Sequence, residues 1–145
     1  MLHYNFYKSD HPSNQLLILL HGFISDSQTY MNHIEAFLTQ CNILTIDLPG
    51  HGKDDSPIDQ TWDFPYITEQ INRVLSQFEK YKFSLLGYSM GGRVALYYTI
   101  YGQYEIKQLI LESTSPGIAD ETLRKERQAI DQARGRVLEI AGIEV

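Results

Sequence analysis

The sequence predicts an α/β fold, a mostly parallel sheet with helices on both faces. Three observations predict it. Short apolar runs alternate with longer helical patterns along the whole chain. Three of the runs, 15–20, 42–47 and 108–111, are continuous rather than alternating, as strands covered on both faces should be. A fourth run, 83–86, passes through glycines directly into a helical pattern.

The elements follow in order. Residues 2–7 alternate and read as a half-exposed edge strand, which a turn through Asp10, His11, Pro12, Ser13 and Asn14 closes before the run at 15–20. Tyr30, Met31, Ile34, Phe37 and Leu38 then take the i, i+3, i+4 spacing of an amphipathic helix that leads to the run at 42–47. Ile67, Ile71, Val74, Leu75 and Phe78 repeat that spacing ahead of 83–86. From Met90 to Tyr101 the apolar residues go nearly all the way round, which predicts a helix buried in the centre of the protein. After 108–111 the character changes. Ser113, Thr114, Ser115, Pro116 and Gly117 read as a loop, and Asp120 is placed to N-cap a long charged helix whose apolar stripe would be Leu123, Ile130, Ala133, Val137 and Leu138. This divides the chain into a core at 1–112 and a loop with a helical segment at 113–145.

Composition narrows the function classes. The 145 residues hold 43% hydrophobic and 21% charged residues, values of a folding globular chain rather than a disordered one. Twelve basic against 18 acidic residues leave a net charge of −6, which offers nucleic acid or an anionic membrane no general attraction. The longest aliphatic run, 16–20, is far too short to span a bilayer, and no basic segment precedes it as in a signal peptide. A single cysteine, Cys41, cannot close an internal disulfide, and no clustered ligand pattern points to a metal. A reducing, cytoplasmic setting is expected, without nucleic-acid partners or membrane insertion.

The chemistry lies in three glycine-bearing loops. Gly87-Tyr88-Ser89-Met90-Gly91 fits G-x-S-x-G between a short apolar strand and a buried helix, the context of a nucleophile elbow. Such a turn holds its serine in a strained conformation that only small neighbours permit, and lifts the hydroxyl above the carboxyl end of the sheet at a helix N-terminus. Ser89 is therefore the expected catalytic residue. An elbow serine needs backbone N–H donors for a developing oxyanion, one from the residue after it, Met90, and one from an early loop. His21-Gly22-Phe23 follows the strand 15–20, and Gly22 lets that loop pass close to a substrate so that the Phe23 N–H is the second donor. Asp47-Leu48-Pro49-Gly50-His51-Gly52 makes a third turn at the same sheet end. His21 and His51 are read as shaping loops rather than as general bases, Asp47 and Glu112 as holding loops, Cys41 as a small packed hydrophobe, and His3, His11 and His33 as surface residues.

In order and spacing, these segments resemble the α/β-hydrolase superfamily. Within it, residues 86–95 followed by Glu112-Ser113-Thr114-Ser115-Pro116-Gly117 and an arginine-rich helix resemble the 2-succinyl-6-hydroxy-2,4-cyclohexadiene-1-carboxylate synthases, the pyruvate-eliminating enzymes of menaquinone biosynthesis. The resemblance implies a lyase without a cofactor, in which a histidine-activated serine starts a proton abstraction that expels pyruvate while arginines bind the carboxylates of an anionic small molecule. Carried over by motif, the substrate ligands are Arg93, just after the elbow, and Arg127, ten residues after the Pro-Gly pair, with Arg124 one turn away as the alternative. His21, Gly22 and Tyr88, which flank the oxyanion donors, complete the expected substrate-binding set. Guanidinium forks suit carboxylates and would reverse the unfavourable net charge locally. In the same terms 113–145 is the start of a helical cap.

One part of the pattern is missing. The superfamily's chain order is serine, acid, histidine, yet no histidine follows Ser89. Since single domains of this kind run to about 200–250 residues, the length is expected to measure a domain truncated after the start of the cap, with acid and histidine past Val145. Its last strand would then present an apolar sheet edge. The chain alone should be inactive, because an unassisted serine is a poor nucleophile or base near neutral pH. Two other functions fit the same residues, a carboxylester or thioester serine hydrolase and a non-catalytic hydrolase-like binding module.

Overall fold

A computed structural model of the chain describes residues 1–115 and 120–141, except for the side chains of 131 and 134–141. Backbone proximity divides it into two compact units, Met1–Thr114 and Ser115–Val145.

The first unit is built on a five-stranded sheet, β1 (Tyr4–Tyr7), β2 (Gln15–Leu20), β3 (Asn42–Ile46), β4 (Lys82–Tyr88) and β5 (Ile106–Glu112), in the order β1-β3-β2-β4-β5. β1 pairs antiparallel with β3, whereas β3, β2, β4 and β5 are parallel. Alternation along the strands sorts the core into two layers. On one face Leu16, Ile18 and Leu20 of β2, Leu44 and Ile46 of β3 and Phe83 and Leu85 of β4 pack with Ile71, Val74 and Leu75 of α2 (Phe64–Leu75) and Val94, Ala95 and Tyr98 of α3 (Met90–Tyr101). On the other, Leu19, Ile43 and Leu86 pack with Tyr30 and Ile34. Helices therefore cover both faces.

Local chemistry sets the element ends. α2 starts where the Asp63 carboxylate accepts from the Tyr66 N–H at 2.9 Å, with Pro65 in its first turn, and it stops at Leu75. Phe78 lies past that end but still packs on the core. Residues 27–38 depart from the expected single helix. Ser27–His33 is a 3-10 segment capped by Asp26, and only α1, Ile34–Leu38, is α-helical. Its register is fixed by the buried Tyr30, whose hydroxyl donates to the Leu20 carbonyl at 2.9 Å. α3 is less enclosed than its composition suggests: Val94, Ala95 and Tyr98 are buried, but Ile100 and Tyr101 are exposed at its far end. β5 is largely exposed at the sheet edge, with Ile110 and Leu111 both in solvent, in place of the cover on both faces that its continuous apolar run implies.

The second unit contains α4 (Glu121–Ala141). Asp120 caps it, accepting from the Leu123 N–H at 2.9 Å, and Glu121 pairs with Lys125 one turn on at 3.0 Å. Leu123 and Ile130 of the expected stripe are exposed. Pro116 and Gly117 of the expected loop, and the side chains of Arg134, Arg136, Val137 and Leu138, lie outside the described residues. Among the described residues no helix is long and apolar enough to cross a membrane.

Candidate active site

The strand order dictates where a site can form. From β2 the chain crosses to β3 on one side of the sheet, and from β4 it crosses to β5 on the other. The carboxyl ends of β2 and β4 thus flank a topological switch point, where loops diverge and leave a crevice.

Ser89 stands there, between β4 and α3, at φ 53 and ψ −114. An L-residue rarely adopts this left-handed φ, and surrounding contacts have to enforce it. The Ser89 N–H donates to the Glu112 carbonyl at 3.0 Å, and its carbonyl accepts from the Gly92 N–H at 3.0 Å and from the Thr114 hydroxyl at 2.6 Å. Both sides of the strained residue are thereby pinned. The glycines give the room: a Cβ on Gly87 would lie 2.4 Å from the Gly91 carbonyl oxygen, and one on Gly91 would lie 2.3 Å from that of Leu20. The start of α3 consequently presses on the end of β2.

That closeness brings the loop after β2 to the serine. A Cβ on Gly22 would lie 3.1 Å from the Tyr88 ring and 3.4 Å from the Ser89 Cβ. Of the predicted residues, the structure gathers Ser89, Met90, Tyr88, Gly22 and, next in chain, Phe23 at one end of the sheet. Tyr88 and Phe23 are exposed and Met90 is half-buried. Met90 is the first residue of α3, so its N–H has no acceptor within the helix and points out of the helix N-terminus. Arg93 lies half-buried in the first turn of α3. Arg124 and Arg127 stand one turn apart on α4, in the second unit, and both are exposed.

The histidines have structural partners. His21 is fully buried, and its Nδ1 lies 2.8 Å from the Gly22 carbonyl while its Nε2 accepts from the Leu48 N–H at 3.0 Å. Burial pushes its pKa below the ordinary 6.5, against the pull of the Gly22 carbonyl, and nearby His51 adds to the lowering. Its ring links the loop after β2 to the loop after β3. His51 lies with Nδ1 3.0 Å from the Pro49 carbonyl and with Nε2 accepting from the Ile24 N–H at 3.2 Å. With both nitrogens of each ring so engaged, neither is free to take a proton from Ser89.

Asp47 holds loops, as read from its position. Buried at the end of β3, it accepts from the Ser27 N–H at 2.9 Å and the Lys53 N–H at 3.0 Å. Burial alone would raise its pKa, but these bonds, the Ser27 hydroxyl and His3 outweigh it and hold the carboxyl below the ordinary 3.8. His3 is accordingly more than a surface residue, since its Nδ1 lies 3.1 Å from Asp47. Sequence reasoning gave no signal for this pairing, nor for Thr114, which it saw only as part of a loop. Among the described residues no group of three or more His, Cys, Asp or Glu side chains is placed to hold a metal ion.

A strand-to-helix elbow bearing a strained serine, with a glycine loop from the neighbouring strand against it, is the site of one fold. The chain belongs to the alpha/beta hydrolase fold family, whose model matches residues 15–139. Among solved structures it is similar to MenH from S. aureus, at 56% identity and a TM-score of 0.92, covering 99% of this chain and 54% of that one. Among curated proteins it is similar to 2-succinyl-6-hydroxy-2,4-cyclohexadiene-1-carboxylate synthase from Salmonella typhimurium, 36% identical over 121 residues, 83% of this chain and 46% of that protein. The esterase EaEST from Exiguobacterium antarcticum, at 24% identity and a TM-score of 0.75, covers 95% of this chain and 55% of that one and shares the fold. The chain spans about half the length of the curated synthases it matches.

Proposed function

We propose that the complete gene product is a carbon–oxygen lyase of menaquinone biosynthesis. It eliminates pyruvate from 2-succinyl-5-enolpyruvyl-6-hydroxy-3-cyclohexene-1-carboxylate to give 2-succinyl-6-hydroxy-2,4-cyclohexadiene-1-carboxylate. The observation that carries this reading is the likeness to curated synthases of that name, 36% identical over the segment that includes the elbow.

The residues supply the chemistry as follows. Ser89, once a general base has taken its proton, starts abstraction of a ring proton. The electrons of that C–H bond become the ring's second double bond as the bond between the ring carbon and the enolpyruvyl oxygen breaks, and the three-carbon group leaves as the enolate of pyruvate, which takes up a proton to give pyruvate. Charge that develops on a substrate oxygen is met by the N–H groups of Phe23 and Met90, the latter at the positive end of α3. The substrate's carboxylates suit Arg93 and Arg127, with Arg124 as the alternative to Arg127, while Gly22 and Tyr88 line the approach and His21 holds the loop. Neither His21 nor His51 is assigned as that base, since both rings are engaged with backbone. The free Cys41 accords with a reducing, cytoplasmic setting.

The elbow serves an ester or thioester hydrolase equally well. The test is to supply the complete gene product with the enolpyruvyl substrate and follow pyruvate. Stoichiometric pyruvate release supports the lyase. Trapping of Ser89 by a fluorophosphonate, with fast hydrolysis of aryl esters and no pyruvate, would replace it by the hydrolase.

A further inference from the structure

His21 and His51 are built into the loops after β2 and β3 in a reciprocal manner. Each ring has its Nδ1 on a carbonyl of its own loop, His21 on Gly22 at 2.8 Å and His51 on Pro49 at 3.0 Å. Each offers its Nε2 to a backbone N–H of the other loop, His21 to Leu48 at 3.0 Å and His51 to Ile24 at 3.2 Å. A carbonyl requires a proton on the facing nitrogen, and an N–H requires a lone pair. The four contacts are therefore satisfied together only when both rings are neutral and both carry the proton on Nδ1. The ring centroids lie 5.0 Å apart, so the two links are adjacent.

What the links hold is strained. Ile24 is β-branched and sits at φ 52, a conformation that such a residue adopts only under constraint. Its N–H is the group that His51 accepts. Phe23 lies between the two anchored positions, Gly22 on the His21 side and Ile24 on the His51 side, and its ring stands edge-on to His51 at 6.0 Å.

We propose that His21 and His51 form a clasp that fixes the strained 22–24 turn and thereby aims the Phe23 N–H at the reacting oxygen. Both are positioning residues, and the catalytic half of the inference rests on the proposed role of that N–H as an oxyanion donor.

Two readouts on the complete gene product test it. Long-range proton–nitrogen spectra of the imidazoles should show both His21 and His51 protonated on Nδ1 and bare on Nε2, and exchange of the Ile24 amide should quicken in His51→Phe, which keeps a ring but no acceptor. In turnover, His51→Phe should lower kcat by about tenfold to a hundredfold, less than loss of an oxyanion donor outright, with KM nearly unchanged. His51→Gln, whose amide oxygen can reach the same N–H, should recover most of it. A proton on Nε2 of either ring, or unaltered Ile24 exchange in His51→Phe, overturns the clasp. Correct tautomers with wild-type kcat in His51→Phe overturn its aiming role. Absence of any turnover in the wild type would sink the proposed function and the aiming role with it, while the spectra still decide whether the clasp exists.

Discussion

The Thr114 hydroxyl donates to the Ser89 carbonyl at 2.6 Å, which ties the serine's strained peptide to the residues just after β5. Thr114→Val keeps the side chain's shape and removes this bond. We expect a stability loss of about 1 kcal/mol, with a larger relative fall in kcat than in thermal stability because the elbow can relax towards an ordinary φ. Thr114→Ser should retain most of the activity. Equal kcat in Thr114→Val and wild type would show that the elbow holds itself.

The close approach of α3 to β2 leaves Gly91 no latitude. A methyl there would meet the Leu20 and His21 carbonyl oxygens at 2.3 and 2.4 Å, both backbone atoms that cannot swing aside. Gly91→Ala should cost roughly 1–3 kcal/mol by overpacking, read by chemical denaturation, and should move the 21–24 loop away from Ser89. Wild-type stability and turnover in this variant would mean that the two loops are not in contact.

Stability should fall on mild acidification. His21 has a lowered pKa in the fold, so the unfolded chain binds its proton first. Its contribution is intact above the unfolded value of 6.5 and is lost as pH falls below it. Asp47, also lowered, acts in the same sense below its ordinary 3.8. Melting at about pH 7.5 and about pH 5.5 should show this drop in the wild type and a smaller one in His21→Gln. The same slope in both proteins would remove His21 as its origin.

One buried polar atom works against the fold. Thr45, 1% exposed on β3, has no hydrogen-bond partner for its hydroxyl among the described residues. Thr45→Val should raise stability by about 1 kcal/mol, since the valine carries no group that needs one. A loss of similar size would reveal a partner for the hydroxyl in solution.

The parts of the fold legible in the sequence are those whose determinants are local. The run Gln15–Leu20 is a strand to the residue, and the glycines around Ser89 announce the elbow because close approach is a property of those positions themselves. The 3-10 turn at Ser27–His33 escaped notice because i, i+3 spacing serves either helix type, and the choice rests on Tyr30 reaching back to Leu20. Thr114, His3 and the histidine links were hidden for a different reason. Their partners lie 25 to 44 residues away, and only the strand order brings them together. The arginines of α4 were legible as a charge pattern, while their place relative to Ser89 depends on tertiary structure that local pattern does not encode.

In the proposed function Ser89 drives pyruvate elimination. It is tested most directly by timed pyruvate release from the enolpyruvyl substrate, with the complete gene product and its Ser89→Ala variant compared at equal thermal stability. Turnover is expected in the wild type and a loss of about a thousandfold or more in the variant, the scale seen when a catalytic group is removed rather than a neighbour. Pyruvate release at the wild-type rate from Ser89→Ala would contradict it.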